Sequence, residues 1–185
     1  MEKRQETKTQ FLTILFFLII SGIFTSCNSS DLKTQKVEKP EVVKKANTFL
    51  DAWHLAASEA NYTNYFGKMD SISVFIGTDA GENWTKKEFE NFSKPYFDKG
   101  KAWSFKAIER NIYMNEDATV IWFDELLSTW MGLCRGSGVL TMKNNELVLK
   151  HYVLSVTIPN DDIQKLITIK KEKDSLFAKK LTSQK

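Results

Sequence analysis

From residue 40 onward, apolar residues recur first at helical and then at strand spacing. Val42, Ala46, Phe49, Leu50, Trp53 and Ala57 lie three and four residues apart, on one face of a helix that starts at Pro40. Tyr62, Tyr65, Phe66 and Met69 predict a second, short helix over 62–69. The run 72–76 is β-rich and closed by Gly77, so it reads as a strand, and Thr78-Asp79-Ala80-Gly81 is turn chemistry. Thr85-Lys86-Lys87-Glu88 has the form of a capping box, in which hydroxyl and carboxylate satisfy the free amides of a helix start. The third helix carries Phe89, Phe92, Tyr96 and Phe97 and ends at Gly100, with Pro95 expected to kink or shorten its last turn. From Lys101 the period changes to two. Four strands follow, over 103–114, 119–128, 133–142 and 147–156, separated by short turns. Helices followed by a meander predict an α+β fold, with three N-terminal helices packed on a curved antiparallel sheet.

Pro159-Asn160-Asp161 stops the last strand and opens a C-terminal helical tail, 161–185. Ile163, Leu166 and Ile167 can dock, whereas beyond them lysines dominate and the expectation is a solvated, frayed arm. A sharper alternative sets that basic arm on anionic lipid, with Leu176, Phe177 and Leu181 as a thin apolar edge.

The N-terminal segment follows different rules. Lys3, Arg4 and Lys8 precede an almost unbroken apolar run over 11–24 that suits a signal peptide and is short for a membrane span. Thr25-Ser26-Cys27 follows at once and resembles a bacterial lipobox, with Phe24 where leucine is usual. The expected layout is a signal peptide over 1–26, lipidated Cys27 with a flexible tether to residue 39, a domain over 40–160, then the tail. An ordinary signal peptide cleaved near Ser26 is the alternative. Lipidation would place the protein in the cell envelope. Asn28 stands where an Asp often signals inner-membrane retention, so the outer membrane, facing the periplasm, is favoured.

Composition narrows the function. The 185 residues are 42% hydrophobic and 26% charged, as expected of one globular domain. A net charge of +3, scattered along the chain, does not suggest a nucleic-acid partner. If Cys27 is lipidated, Cys134 has no cysteine to pair with and is expected to be buried. The two histidines show no metal-ligand spacing, and no nucleotide-binding glycine loop or nucleophile elbow is present, so neither metal nor cofactor is expected.

Candidate chemistry lies in the meander. Trp122 and Asp124 share a strand face, as do Arg135 and Ser137. The turn at 143–145 decides which of these residues His151 meets. A three-residue loop, the preferred reading, pairs Met142 with Glu146, Ser137 with His151 and Arg135 with Val153. A two-residue Asn144-Asn145 loop sets Gly138 opposite His151. In the first register Arg135, Ser137 and His151 converge. If Asp124 joins them, acid and imidazole are placed for acid–base work, or for a structural ion pair beside an orienting histidine. His54 borders the first-helix stripe and reads as a boundary residue. Trp53, Trp84, Tyr96, Phe97, Trp103 and Trp122 are candidates to line a pocket for a small, largely apolar ligand.

The phrases Phe75-Ile76-Gly77-Thr78-Asp79, Lys94-Pro95-Tyr96-Phe97, Trp122-Phe123-Asp124-Glu125, Arg135-Gly136-Ser137-Gly138-Val139-Leu140 and His151-Tyr152, together with Trp84, carry a resemblance. Over about 40–159 the chain resembles the nuclear transport factor 2-like fold and, within it, the SnoaL-like branch that includes ketosteroid isomerase-like proteins. The resemblance implies a cone of helices wrapped by a bent sheet around a pocket. That fold hosts isomerases, dehydratases, hydrolases and plain binding modules. In ketosteroid isomerases a tyrosine on the first helix and an aspartate at the end of the first strand act together. The tyrosine position falls on Trp53 and the aspartate position near Gly77, with Asp79 the nearest acid, and both departures argue against that chemistry. The expected site is therefore Asp124 and His151 as acid–base groups, with Trp53, Asp79, Trp84, Tyr96, Trp122, Arg135 and Ser137 around the ligand. A lipid-anchored binding domain is the leading reading. A metal-independent enzyme and an envelope lipoprotein that dimerises through its sheet are the alternatives.

Overall fold

The structure is a computed structural model and describes residues 39–183. The signal peptide, Cys27 and all but the last residue of the tether lie outside the described residues. Helix α1 (Lys39–Ser58) buries Val42, Ala46, Leu50, Trp53 and Ala57 of the expected stripe, leaves Phe49 half-buried, and adds His54 and Ala56 to it. Helix α2 (Tyr62–Gly67) is capped by Asn61, whose side chain accepts from the Asn64 amide. Met69, expected in that helix, instead starts β1 (Met69–Ile76).

A short β2 (Asn83–Thr85) returns against β1 and leads into α3 (Lys86–Asp98). The capping box is formed: the Glu88 amide donates to Thr85 Oγ1, and the Thr85 amide donates to Glu88 Oε2 at 2.8 Å. Helix α3 runs through Pro95 to Asp98, and Gly100, in the left-handed region, follows it. Two helices therefore open the domain, one of 20 residues and one short, and the third stands between the β1–β2 hairpin and the meander.

The meander is β3 (Lys106–Met114), β4 (Val120–Thr129), β5 (Gly132–Lys143) and β6 (Glu146–Val156). The sheet has six strands in the order β2-β1-β6-β5-β4-β3. Neighbours are antiparallel except β1 and β6, which run parallel, so the expected antiparallel sheet is a mixed one.

The β5–β6 turn differs from the preferred reading. Lys143 pairs with Glu146, so the loop has two residues, and Asn144 and Asn145 both take positive φ. That is the primed turn whose twist matches a hairpin. A bulge then shifts the register, setting Leu140 opposite Leu149 but Val139 opposite His151. Ser137 meets Val153 and Arg135 meets Ser155, which is neither sequence register.

Ile121, Phe123, Glu125 and Leu127 of β4 face inward together with Cys134, Gly136, Gly138 and Leu140 of β5, toward the helices. The core is strongly aromatic: Trp53 stacks on Tyr65 at 4.9 Å and meets Tyr152 edge-on at 4.8 Å. Cys134 is fully buried, as expected. After a 3-10 turn (Asn160–Asp162), α4 (Ile163–Thr182) is one continuous helix with no buried residue. Leu166 and Phe177 are half-buried, but Ile167 remains 51% exposed, so the expected docking is slight. The Lys170–Asp174 pair, one turn apart at 3.4 Å, supports the helix where fraying was expected.

Candidate functional site

A cavity of about 360 Å³ opens between α3, the β1–β2 hairpin and the β4–β5 turn. Alternation along β1 turns Phe75 inward, where it stacks on Phe89 of α3 at 3.9 Å. Trp84 of β2 continues the stack, 5.6 Å from Phe89 and 4.5 Å from Phe92. Helical spacing places Phe89, Phe92 and Tyr96 on one side of α3, and Phe92 and Tyr96 stay about half exposed at the mouth. Trp103 and Phe105, just before β3, form another wall, and Trp130 and Met131 reach over from the β4–β5 turn. Among all these lining residues only Glu82 carries a charge, and Thr78 beside it supplies a hydroxyl.

Glu82 is placed by a small local device. Its backbone carbonyl accepts from the Gly77 amide at 2.9 Å, and its Oε2 accepts from the Asp79 amide at 3.2 Å. A Cβ on Gly77 would collide with that carboxylate, so the glycine leaves room for it. Asp79 itself turns back to accept from the Gly81 amide at 2.8 Å.

Of the residues expected to line a pocket or surround a ligand, the structure brings Trp84, Tyr96 and Trp103 to this cavity, whereas Phe97 is buried in the core. Asp79 sits in its rim loop without lining it. Trp53 is 1% exposed and part of the core. Trp122, Asp124, Arg135, Ser137 and His151 lie on the outer face of the sheet, away from the helices. The physical reason is parity: the helices cover the face that carries Phe123, and every residue one step away points out. Arg135 and Asp124 do pair, at 3.3 Å, but with the arginine side chain 46% exposed. His151 aligns with Val139 and Trp122, and Asp124 aligns with Ser137 and Val153, so His151 and Asp124 stand two strands and two residues apart.

The sequence reading passed over a buried polar array. Glu125, fully buried, accepts from Tyr152 Oη at 3.0 Å and lies 2.7 Å from His54 Nε2 through its Oε1. Its Oε2 accepts from Arg110 Nε at 2.8 Å. Arg110 Nη1 donates outward to Asp51 at 2.8 Å and to the Asn47 side chain at 3.2 Å. Burial alone would raise the Glu125 pKa, but the His54 hydrogen bond and the Arg110 charge outweigh it and hold the carboxyl below its usual range. Burial likewise opposes the Arg110 charge, and Asp51 and Glu125 overcome it. Burial, then the Glu125 charge, push the Tyr152 hydroxyl well above its ordinary pKa. An ionised Glu125 has no proton to give, so His54 Nε2 is the donor in their hydrogen bond. His54 borders a groove with Asp51, Ser58, Phe105 and Lys106, and Phe105 also lines the cavity. Two signals were present in the sequence: Glu125 shares parity with Ile121, Phe123 and Leu127, and His54 lies four residues from Leu50 and three from Ala57.

A SnoaL-like domain model matches residues 46–159, most of the described chain. The chain belongs to the SnoaL-like family. Solved structures agree on the fold. An NTF2-like protein of unknown function from Pseudomonas putida KT2440 aligns with a TM-score of 0.55 at 7% identity, over 65% of this chain and 90% of its own. A protein of unknown function with a cystatin-like fold from Nostoc punctiforme gives 0.51 at 10% identity, over 62% and 90%. A structure from Catenulispora acidiphila in complex with S-DNPA gives 0.51 at 13% identity, over 63% and 94%. No curated protein matches the sequence. Among the described residues of this SnoaL-like chain no His, Cys, Asp and Glu group has metal-holding geometry, and no helix is long and apolar enough to cross a membrane.

Proposed function

We propose that this SnoaL-like domain binds a small, largely apolar molecule in the cavity between α3 and the β1–β2 hairpin. The observation that carries the reading is the lining: eight of its fourteen residues are aromatic, in a space of about 360 Å³, the size of a small-molecule site. Trp84, Trp103 and Trp130 line this space, whereas Trp53 and Trp122 do not. A brominated ligand, which quenches tryptophan at contact, therefore reports on it. Titration with 8-bromo-octanol should quench part of the emission saturably. Phe92→Ala and Tyr96→Ala, at half-exposed positions, should weaken binding while the melting temperature holds. Linear, unsaturable quenching that ignores both variants would refute the reading.

A second reading, acid–base catalysis without a metal, draws on one observation: the His54–Glu125 pair, oriented by Arg110 and bordering its own groove. An imidazole oriented by a buried carboxylate is the arrangement that acid–base catalysis requires. His54→Gln would then abolish any turnover found on small carbonyl compounds and leave 8-bromo-octanol quenching intact.

We further propose that the domain is carried on a lipidated Cys27 at the cell envelope, with the outer membrane facing the periplasm as the favoured site. The apolar run 11–24 and Thr25-Ser26-Cys27 support this. Cys27→Ser should strip the protein from the membrane fraction, and a wild-type protein recovered soluble with an unmodified N-terminus would exclude it. Homodimerisation through the outer sheet face, where Trp122 stacks on Tyr113 at 6.2 Å with both about half exposed, is a further proposal. A monomer at high concentration by light scattering would remove it.

A further inference from the structure

The cavity carries more than an apolar preference. Glu82 is its one charged lining residue, and no Lys, Arg or His among the described residues lies within salt-bridge distance of that carboxylate. Among the described residues its oxygens accept a hydrogen bond only from a backbone amide, at 3.2 Å, and Gly77 keeps the space it occupies clear. A carboxylate at the rim of an aromatic cavity, with no cation from the described residues beside it, is an environment for a positive charge. Ring faces are negative, so Trp84, Phe92, Tyr96 and Trp130 attract a cation where they would gain nothing from an anion. A protein built for fatty acids or other apolar anions would set a basic group here.

We propose that the ligand is an amphiphilic cation, an amine or quaternary ammonium with an apolar body, whose charged head sits between Glu82 and the aromatic rim and whose body fills the cavity toward Phe89 and Trp103. This rests on the binding reading above and names the chemical class it selects. Other surfaces carry less. The exposed side of α4 has no occupant that its surroundings specify, and the His54 groove lacks a group that selects one chemistry.

The test uses three probes with the same chain and different heads: octyltrimethylammonium, octanol and octanoate. Each is titrated into the purified protein, with tryptophan emission and melting temperature as readouts. The cation should bind roughly tenfold more tightly than octanol, a difference of about 1.4 kcal/mol, with octanoate weakest, because a cation is attracted by the faces of aromatic rings and by the carboxylate. Glu82→Gln should bring the ratio of cation to octanol affinity down severalfold, and Glu82→Asp, which keeps the charge, should preserve most of it. Equal affinity for all three heads, or a ratio that Glu82→Gln does not change, overturns the cation proposal and leaves apolar binding standing. If none of the three binds, the binding reading itself falls.

Discussion

Glu125 and Gly136 face each other across β4 and β5, and each explains the other. A Cβ at position 136 would collide with Tyr152 Oη and come within 3.0 Å of Glu125 Cγ. The glycine therefore opens the space in which the Glu125, Tyr152, His54 and Arg110 side chains meet. Gly136→Ala should displace the tyrosine or the carboxylate and lower stability by about 1–3 kcal/mol, the cost of overpacking, read from denaturant unfolding. Glu125→Gln should cost about 3 kcal/mol, since it leaves Arg110 buried with only part of its neutralisation. Asp124→Asn, at the exposed pair one residue away, should change stability by about 0–1 kcal/mol. That contrast between adjacent positions checks the strand parity directly: similar losses at 124 and 125 would mean that the inner and outer faces are misassigned. Parity was legible, since Glu125 falls among Ile121, Phe123 and Leu127. Which face the helices cover was not, because Trp122 and Asp124 offer an equally regular alternation.

At the scale of elements, local rules read well and long-range registers did not. The α1 stripe, the capping box at Thr85 and the four meander strands follow from spacing within a dozen residues. The parallel pairing of β1 with β6 joins residues 77–80 positions apart, such as Met69 with Leu149 and Val74 with His151, and nothing local encodes it. The β5–β6 register needed two facts together, a two-residue turn and a bulge at Lys150, and strand sequence states neither one alone. Asn145 has a φ of 64°, the second position of the primed turn where glycine is the better residue. Asn145→Gly should leave stability unchanged or raise it by a few tenths of a kcal/mol, whereas Asn145→Val, whose branched Cβ opposes positive φ, should cost about 1–2 kcal/mol. Paired thermal melts check this, and equal melting temperatures for the two variants would exclude the two-residue loop.

At the scale of the whole molecule, Asp70 ties β1 to the end of the β5–β6 hairpin and makes stability depend on pH. Its carboxylate accepts from the Ile72 amide at 3.1 Å and pairs with Lys150 at 3.0 Å and Lys143 at 3.6 Å. The amide hydrogen bond first, then Lys150, bring its pKa down to about 2. A depressed carboxylate pKa means that the unfolded chain binds the proton first. Asp70 therefore contributes its full stabilisation above about pH 4, and that contribution is lost as pH falls toward about 2. Asp70→Asn should unfold more easily near neutrality and show a flatter stability curve between those limits. A wild-type curve already flat there would contradict the clamp.

The cavity belongs to the same scale, since α3, the β1–β2 hairpin and the β4–β5 turn assemble it from distant parts of the chain. Sequence pointed to Trp84 and Tyr96 because aromatic residues were abundant there. It could not show that Trp53 fills the core or that Trp122 faces outward, since an aromatic side chain suits all three places. The measurement that bears most directly on the account is a crystal structure of the protein with 8-bromo-octanol, with the bromine located by its anomalous scattering. One peak is expected inside the cavity, within contact distance of Trp84, Phe89 or Trp103. A peak on the outer sheet face beside Trp122, or in the groove beside His54, with the cavity empty, would contradict it.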